Sequence, residues 1–373
     1  MRIGIDARLG FGDSTGLGIY TRRVIEALTR HDAGNEYVLY TDREVEVPEL
    51  PENFRVRVVA GESRIVWTNL RLPGVLRRDR IDLYHGLANF ELPLGFRGLR
   101  VVTVHDLVPL RIPGAVPWKH SAFFRLFTGP ALRAADRIVA PSEHTRRDVL
   151  ERFRISPDDI EVFPNWVTAD FRPRDGTHRA SQRAAARYGI HERFFVFVGV
   201  REPKKNLDRL LDAFGRLAPR SEGPVDLAVV GPHGWSTEGL ESHARALGLG
   251  DRVRFTGRVP QSDLVELLQD ARALVFPSIT EGFGLPVLEA MACGTAVIAS
   301  RAGALPEVAG DAALYVDPLD VDVIAQAMTR LLDDPALADE LGRRGLERAA
   351  RWNEAQAASR LVTLYLDLFN AVA

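Results

Sequence analysis

The sequence predicts an α/β protein built from two doubly wound domains that face a central cleft. Short β-rich runs alternate with amphipathic segments along the chain, which is typical of parallel sheets covered by helices on both faces. The length of 373 residues suggests about two domains. A polar stretch from Pro164 to about His191 interrupts the alternation as a linker would. We therefore expect domains at residues 1–170 and 190–355.

The β-rich runs give the expected strands in order. The first domain contributes RIGID, EYVLYT, FRVRVVA, DLYHG, RVVTVHD, RIVAPS and IEVFPN, and the second contributes FFVFVGV, VDLAVVG, RVRFTG, ALVFPS, TAVIAS and AALYVD. Between them, NLDRLLDAFGRLA predicts a helix with one apolar face, formed by Leu207, Leu210, Leu211, Phe214 and Leu217. Ligands bind at the carboxyl ends of parallel strands, so residues that follow strands are the candidates for function.

Composition excludes several classes of protein. A formal net charge of −2 and a pI near 6.5 argue against a nucleic-acid binder, which normally has a basic excess. A single cysteine, Cys293, rules out a disulfide framework. The start MRIGIDAR enters a strand at once, so we expect no signal peptide. No run of 18 apolar residues is present, and we expect a cytoplasmic protein without a spanning segment.

The stretch GFGDSTGLGIYTRR follows the first strand and supplies glycines to the loop before a helix. Gly10, Gly12, Gly16 and Gly18 would let the backbone approach a phosphate at the helix N-terminus. The last three also fit the spacing found in short-chain dinucleotide oxidoreductases. The Tyr-x-x-x-Lys pair of those enzymes is missing, since none of the seven tyrosines has a lysine four residues later. A plain glycine-rich turn remains an alternative.

Two histidines end predicted strands, and both are expected to point into the cleft. For His85 we favour a packed, hydrogen-bonded histidine over a functional one. His105 stands beside Asp106, and there we favour donation to a ligand hydroxyl or the positioning of a proton. No set of three ligands with suitable spacing can be assembled, so no metal site is predicted.

Two of the chain's three lysines are adjacent, directly after the strand FFVFVGV. We expect Asn206 to cap the next helix, whose N-terminus favours an anion. The compact charge of Lys205 suits a phosphoryl oxygen. The planar guanidinium of Arg201 can add bidentate hydrogen bonds to the same phosphate. Lys204 is expected to be a surface charge. The alternative is a solvated turn with three surface cations.

The stretch FPSITEGFGLPVLEAMACG is the most specific. Glu281 lies in a loop and Glu289 eight residues later in a helix expected to start at Pro286. Between them GFGL offers backbone N–H groups at a helix N-terminus, a second anion site. Carboxylates accept hydrogen bonds, so the pattern predicts a diphosphate on the amides with hydroxyl-bearing groups on either side. Glu289 could merely complement the helix dipole, but this explains neither Glu281 nor the glycines.

The chain resembles a retaining glycosyltransferase of the GT-B fold, within glycosyltransferase family 4. The motifs that carry the resemblance are GLGIYTRR, VVTVHDL, APSEHT, VGVREPKKNLDRLLDAF, FTGRV and PSITEGFGLPVLEAMACGTAVIAS, and the resemblance covers nearly the whole chain. It implies two Rossmann-like domains, with the acceptor bound by the first and the nucleotide sugar by the second. It also implies that a helix at about 356–373 crosses back onto the first domain.

The resemblance implies a role for each matching residue. The implied catalytic group comprises His105, Asp106, Arg201, Lys205 and Glu281. The implied donor-binding group comprises Gly16, Gly18, Arg258, Val259, Gly282, Phe283, Gly284, Leu285 and Glu289.

Within these groups, each part of the donor has its own expected contacts. Lys205 and Arg201 would hold the diphosphate, Glu281 the transferred sugar and Glu289 the ribose. Arg258 and the residue after it would line the base pocket. Many family members have an arginine where this chain has Val200, and Arg201 is expected to take its place.

Neither a cofactor nor a metal is expected, because cations of the protein would stabilise the leaving diphosphate. A metal-dependent glycosyltransferase would resemble its family in a D-x-D triplet after a strand. The one such triplet, Asp320–Asp322, opens a predicted helix and is better explained as capping.

The sequence leaves two alternatives open for the kind of acceptor that the enzyme uses. Residues 64–80 hold five arginines against one aspartate, and residues 118–154 hold eight Lys or Arg against four acids. Basic-aromatic helical surfaces can rest on anionic membranes, whereas an arginine-rich solvated face explains the pattern equally well. A lipid-linked acceptor and peripheral contact with the inner face of the plasma membrane are therefore hypotheses, with a soluble glycan as the alternative.

The donor is inferred from the resemblance alone. GLGIYTRR, HDLVPL and EPKKN look most like bacterial mannosyltransferases of polysaccharide assembly, which implies GDP-mannose. A UDP-sugar is the close alternative, and a non-catalytic module that binds nucleotide sugars is a third reading.

Overall fold

The computed structural model describes residues 1–12, 16–61, 64–89, 91–112, 116–174, 183–217, 223–235 and 239–372. The chain forms two compact units. The first comprises Met1–Gly114, Trp118–Asn165 and Glu354–Ala373, and the second comprises Ala115–Pro117 and Trp166–Asn353. Within the described ranges, no helix combines the length and the apolar character needed to cross a membrane.

The first unit alternates strands with helices. Its elements are β1 (Arg2–Asp6), α1 (Gly16–His31), β2 (Glu36–Thr41), β3 (Phe54–Val58), α2 (Arg64–Val66), a π-helical turn (Trp67–Arg71), α3 (Leu72–Arg78), β4 (Leu83–Gly86), β5 (Leu99–Thr103), α4 (Val108–Arg111), α5 (Trp118–Ala134), β6 (Arg137–Ala140), α6 (Glu143–Arg152), a 3₁₀ turn (Pro157–Asp159) and β7 (Ile160–Val162).

The second unit repeats this alternation, and the last helix then rejoins the first unit. The elements are α7 (Arg183–Arg187), β8 (Phe194–Val198), a 3₁₀ turn (Pro203–Lys205), α8 (Leu207–Leu217), β9 (Asp226–Val230), α9 (Leu240–Ala246), β10 (Val253–Gly257), α10 (Gln261–Asp270), β11 (Ala273–Phe276), α11 (Leu285–Ala292), β12 (Val297–Ser300), α12 (Leu305–Ala309), β13 (Leu314–Val316), α13 (Val321–Asp333), α14 (Pro335–Ala349) and α15 (Glu354–Asn370).

Both sheets of the described chain are parallel and doubly wound. The first has the strand order β3-β2-β1-β4-β5-β6-β7, and the second has β10-β9-β8-β11-β12-β13. In each sheet the order reverses once, between β1 and β4 in the first and between β8 and β11 in the second. Ligands of such folds bind outside the carboxyl ends of the strands at this reversal. The α/β prediction is confirmed, and every predicted strand run contains an observed strand.

The cores follow from the sequence pattern. Every residue of β8 is buried, as expected for a central parallel strand covered by helices on both faces. The predicted apolar face of α8 is confirmed, because its four leucines and Phe214 all lie in the core of the second unit. Truncating Phe214 to alanine would cost about 3–5 kcal/mol of stability.

Three local expectations were wrong. The polar stretch taken as a linker contains α7, whose Ala184 and Ala185 are buried in the second unit. Gly16 and Gly18 belong to α1 rather than to the loop before it; residues 13–15 lie outside the described residues. Asn206 was expected to cap α8 with its side chain. It adopts a left-handed conformation (φ 61°) instead, and its side-chain amide donates to the carbonyls of Pro277 and Pro318.

Candidate functional site

A buried ion pair occupies the reversal point of the second sheet. Lys205 closes the 3₁₀ turn after β8, and Glu281 lies in the loop after β11. The Lys205 ammonium lies 2.7 Å from Oε1 of Glu281 and 4.7 Å from the centre of the Phe276 ring. Both charged side chains are nearly inaccessible to solvent. The topology therefore brings together two predicted site residues that stand 76 positions apart.

Lys204 joins this pair, contrary to the expectation that it is a surface charge. Its ammonium lies 3.9 Å from Oε2 of Glu281, and its carbonyl accepts a hydrogen bond from the Ile279 N–H. Burial acts to raise the pKa of Glu281, but the charges of Lys205 and Lys204 outweigh it and hold that pKa below its ordinary value. Two ammonium groups beside one carboxylate give the three side chains a formal charge of +1, which favours an anion.

The loop from Gly282 to Leu285 is shaped by close packing. Gly284 immediately precedes α11 with φ 104°, and a Cβ there would lie 2.5 Å from Leu305 Cδ2. Gly303, with φ 59°, packs against the Glu281 backbone, where a Cβ would come within 2.4 Å of the carbonyl oxygen. These glycines permit the left-handed backbone and the close packing around Glu281 and the first amides of α11, which a side chain at either position would prevent.

Other predicted members of this loop are buried beside it. Phe283 contacts the Trp352 ring edge-on at 6.0 Å. The helix begins at Leu285, one residue before the predicted start at Pro286. Glu289 is buried in α11, and burial together with its charge raises the pKa of Cys293 to about 12. A ribose contact for Glu289 stays a prediction.

Arg201 lies in a different environment from the one predicted. Its guanidinium is only 3% exposed, donates to Oε1 of Glu241 at 2.5 Å and stacks over the Phe255 ring at 5.3 Å. The structure thus places Arg201 in an ion pair with α9 rather than with Lys205 and Glu281. Sequence reasoning missed Glu241, because nothing in the sequence links it to a residue 40 positions earlier.

The two residues predicted for a base pocket follow β10. Gly257 ends that strand with φ 68°, which turns the chain sharply. Arg258 is exposed and Val259 is half-buried against the core of the second unit. The role of both stays a prediction.

His105 follows β5 in the first unit. Its backbone N–H donates to Asn89 Oδ1 at 2.7 Å, and its Nε2 lies 2.8 Å from the Leu87 carbonyl. A carbonyl can only accept, so Nε2 carries the proton and Nδ1 is the acceptor. Burial lowers the pKa of His105, outweighing the Leu87 carbonyl and the Asp106 charge. His105 is therefore neutral near pH 7, and its expected contact with a ligand hydroxyl stays a prediction.

Asp106 has a structural contact of its own. Its Oδ1 accepts the Val108 N–H at 3.1 Å and so fixes the first turn of α4. This contact is sufficient to account for an acidic residue at position 106 without a catalytic role. The catalytic role that the resemblance implies stays a prediction.

His85 is a buried structural histidine. Its ring nitrogens lie 2.6 Å from the Tyr365 hydroxyl and 2.9 Å from Thr103 Oγ1. Burial, followed by the charge of His105, lowers its pKa to about 3. The packed, hydrogen-bonded reading favoured for His85 is confirmed.

A second charged cluster, missed by sequence reasoning, lies at the reversal point of the first sheet. Arg8 binds Asp6 at 2.6 Å, approaches Glu91 at 3.3 Å and stacks over Trp67 at 3.9 Å. Arg64 also pairs with Glu91. Burial, followed by the Asp6 charge, raises the pKa of Glu91 to about 7. The signal available in the sequence was the D-A-R triplet that ends RIGIDAR.

The capping interpretation of Asp320 is confirmed, because its carboxylate accepts the N–H groups of Asp322 and Val323 at the start of α13. Among the described residues, no three His, Cys, Asp or Glu side chains converge as metal ligands would.

The chain has two doubly wound parallel sheets and a cationic site at a strand-order reversal. These features are typical of α/β proteins that bind phosphate-bearing ligands at strand ends. Matches to family models identify the family within this class. Residues 14–171 match "Glycosyltransferase Family 4", and residues 181–348 match "Glycosyl transferases group 1".

Two curated relatives are similar over most of their length. The O-antigen chain mannosyltransferase B of Escherichia coli is 31% identical over 77% of this chain and 75% of its own. The MMP alpha-(1->4)-mannosyltransferase of Mycolicibacterium hassiacum is 35% identical over 94% of each. This chain therefore belongs to glycosyltransferase family 4, in the group 1 glycosyltransferases, and is a hexosyltransferase.

Solved structures show the GT-B fold. Sucrose-phosphate synthase from Thermosynechococcus elongatus superposes with a TM-score of 0.84 over 100% of both chains at 23% identity. HepE of Anabaena, in complex with UDP and glucose, superposes with a TM-score of 0.79 over 98% of this chain and 100% of its own at 16% identity.

Proposed function

We propose that this glycosyltransferase moves mannose from GDP-mannose to a glycan acceptor, with retention of anomeric configuration and without a metal. The names of two curated relatives, both mannosyltransferases, support the choice of sugar. The observation that carries the proposed mechanism is the buried pairing of Lys205 with Glu281 at the reversal point of the second sheet.

The cluster suits a sugar diphosphate in two ways. Lys205 and the first amides of α11 would stabilise charge on the diphosphate as it leaves. Glu281 stays ionised at neutral pH because its pKa is low, so it would accept hydrogen bonds from sugar hydroxyls. Glu281 also fixes the position of the Lys205 ammonium by accepting its hydrogen bond, which reduces the cost of reorganising it during the reaction.

The proposed step needs no protein nucleophile. The bond from the sugar C1 to the phosphate oxygen breaks, and its electron pair stays on the diphosphate. The acceptor hydroxyl bonds to C1 on the same face and passes its proton to a diphosphate oxygen. Electrostatic stabilisation of this kind is worth about 10²–10³ in kcat for each donor removed.

A ligand panel tests the proposal. Thermal shifts are measured with GDP, UDP, ADP and NAD in EDTA, followed by NMR of the anomeric product formed from GDP-mannose. Stabilisation by GDP and an α-mannoside product are expected. Stabilisation by UDP alone would overturn the donor assignment and keep the transferase. Stabilisation by NAD alone would revive an oxidoreductase, and binding without turnover under all acceptors would indicate a non-catalytic module.

A further inference from the structure

Glu241 presents a carboxylate at the edge of the second sheet where ligands bind. Arg201 and His233 form a parallel bridge beyond the ends of β8 and β9, and the Arg201 N–H donates to the Pro232 carbonyl at 3.1 Å. Oε1 of Glu241 lies 2.5 Å from Nη1 of Arg201 and 3.6 Å from Nε2 of His233. The three residues therefore stand at the carboxyl ends of the strands, which form the ligand-binding edge of such sheets.

Arg201 orients this carboxylate. The guanidinium is buried and stacks over the Phe255 ring of β10, so packing holds it in place. Glu241 keeps 35% of its side chain exposed. Burial acts to raise the pKa of Glu241, but hydrogen bonds from its own backbone N–H and from Arg201 hold that pKa below its ordinary value. Glu241 is thus ionised, oriented by a buried cation and still accessible to a ligand.

The position of Glu241 suits contact with the base of a nucleotide. A diphosphate held by Lys205, as proposed above, would lie at the β8–β11 reversal, with its nucleoside along the edge of the sheet. Towards β12 that edge is covered, because Gly303 packs on the Glu281 backbone and the Ala304 N–H donates to the Glu281 carbonyl at 2.9 Å. In the other direction, strand spacings of about 4.8 Å put the end of β10 roughly 10 Å from that of β8.

The loops after β9 and β10 meet on this side of the site. The Gly231 N–H donates to the Gly257 carbonyl at 2.8 Å. The next two residues, Arg258 and Val259, are those expected to line a base pocket. Glu241, in the helix that follows β9, approaches the same junction from the β9 side.

We propose that Glu241 binds the hydrogen-bonding edge of the nucleobase and selects guanine. Guanine offers two adjacent donors, N1–H and the 2-amino group, which the two carboxylate oxygens can accept together. Oε1 can keep its hydrogen bond from Arg201, because each carboxylate oxygen has two lone pairs. Uracil and adenine would each bring an acceptor against the carboxylate. This assignment rests on the proposed transferase function and its guanine nucleotide.

The test is calorimetry of the full chain with GDP, inosine diphosphate, xanthosine diphosphate and UDP in EDTA. Inosine diphosphate lacks the 2-amino group, and xanthosine diphosphate carries a carbonyl in its place. The variants are Glu241→Gln and Glu241→Asp, of which the second keeps the charge that balances Arg201 and retracts it by one methylene. Asp251→Asn is the matched control, because this exposed acid precedes β10 at the opposite edge of the sheet.

Wild-type protein should bind GDP about tenfold or more tightly than inosine diphosphate, because a good bidentate pair discriminates between bases by roughly ten- to a hundredfold. In Glu241→Gln this preference should vanish, and xanthosine diphosphate should bind more tightly than GDP, since an amide accepts from N1–H and donates to the 2-carbonyl. Glu241→Asp should lose the preference without this gain, and the control should match the wild type. A ratio of two ligands on one protein is insensitive to a loss of stability.

An equal preference for GDP over inosine diphosphate in wild type and Glu241→Gln would overturn the assignment and leave Glu241 as a counter-ion of Arg201. If Glu241→Gln does not fold, the same comparison in Glu241→Asp decides. Binding of UDP without GDP would refute the proposed donor base and this assignment with it. A guanine preference that depends on Glu241 in a protein that transfers no sugar would refute the transferase function alone.

Discussion

The ammonium of Lys205 lies 2.7 Å from Oε1 of Glu281, and each residue follows a different strand of the second sheet. Because the pair is buried, removing Glu281 leaves two ammonium groups without their carboxylate, and removing Lys205 leaves Glu281 with only the more distant Lys204. The pair therefore links catalysis to stability, and its two members should respond differently to substitution and to pH.

Lys205→Ala should lower kcat for transfer by about 10²–10³, since it removes the cation expected to stabilise the diphosphate. It should also weaken GDP binding, measured by calorimetry. Arg183→Ala, on the exposed side of α7, is the control and should leave both quantities unchanged. Unchanged kcat in the folded Lys205 variant would rule out its proposed role.

Glu281→Gln should remove a pH dependence of stability in acid. The folded pKa of Glu281 is depressed below its ordinary value of 4.5, so its contribution is complete above pH 4.5 and is lost as pH falls through the folded pKa. In urea unfolding from pH 6 to pH 3, the free-energy gap between wild type and variant should narrow below pH 4.5. A gap that stays constant with pH would contradict the depressed pKa.

His85→Gln should flatten the loss of stability between pH 6.5 and about pH 3. The folded pKa of His85 is about 3 against an ordinary 6.5, so the unfolded chain takes up a proton in this window and the folded chain does not. Wild-type stability should therefore fall by up to about 1.4 kcal/mol per pH unit from this residue alone. Glutamine keeps a polar partner for Tyr365 without titrating, and parallel pH profiles would exclude the effect.

Gly284→Ala should destabilise the second unit by about 1–3 kcal/mol, because the backbone is left-handed there and the added Cβ meets Leu305. Gly16→Ala is the matched comparison. No atom of the described residues lies within 4 Å of its Cβ position at the start of α1, so the melting temperature of this variant should stay or rise slightly. Equal melting temperatures for the two variants would refute the packing argument.

The sequence was sufficient for the strands, because a central parallel strand such as β8 is a continuous apolar run bounded by turn residues. It was also sufficient for the amphipathic α8. It did not reveal α7, whose five residues are too short for helical periodicity to show. Nor did it place Gly18, because glycine-rich composition favours a loop while the structure continues the helix through it.

At the site, local motifs placed Lys205 and Glu281 correctly after strand ends. Contacts between distant segments could not be predicted, and these changed two assignments. Arg201 forms an ion pair with Glu241, and Lys204 forms one with Glu281. The protonated nitrogen of His105 was likewise unpredictable, since it depends on a carbonyl 18 residues earlier in the chain.

The return of α15 to the first unit has a consequence for biosynthesis. Tyr365 of this helix supplies a hydrogen-bond partner of His85, so the first unit lacks a core residue until α15 has been made. All of Trp166–Asn353 is translated in between. During synthesis on the ribosome the second unit can therefore finish folding while the first still awaits a segment, and a chain released early would lack the Tyr365 partner of the buried His85.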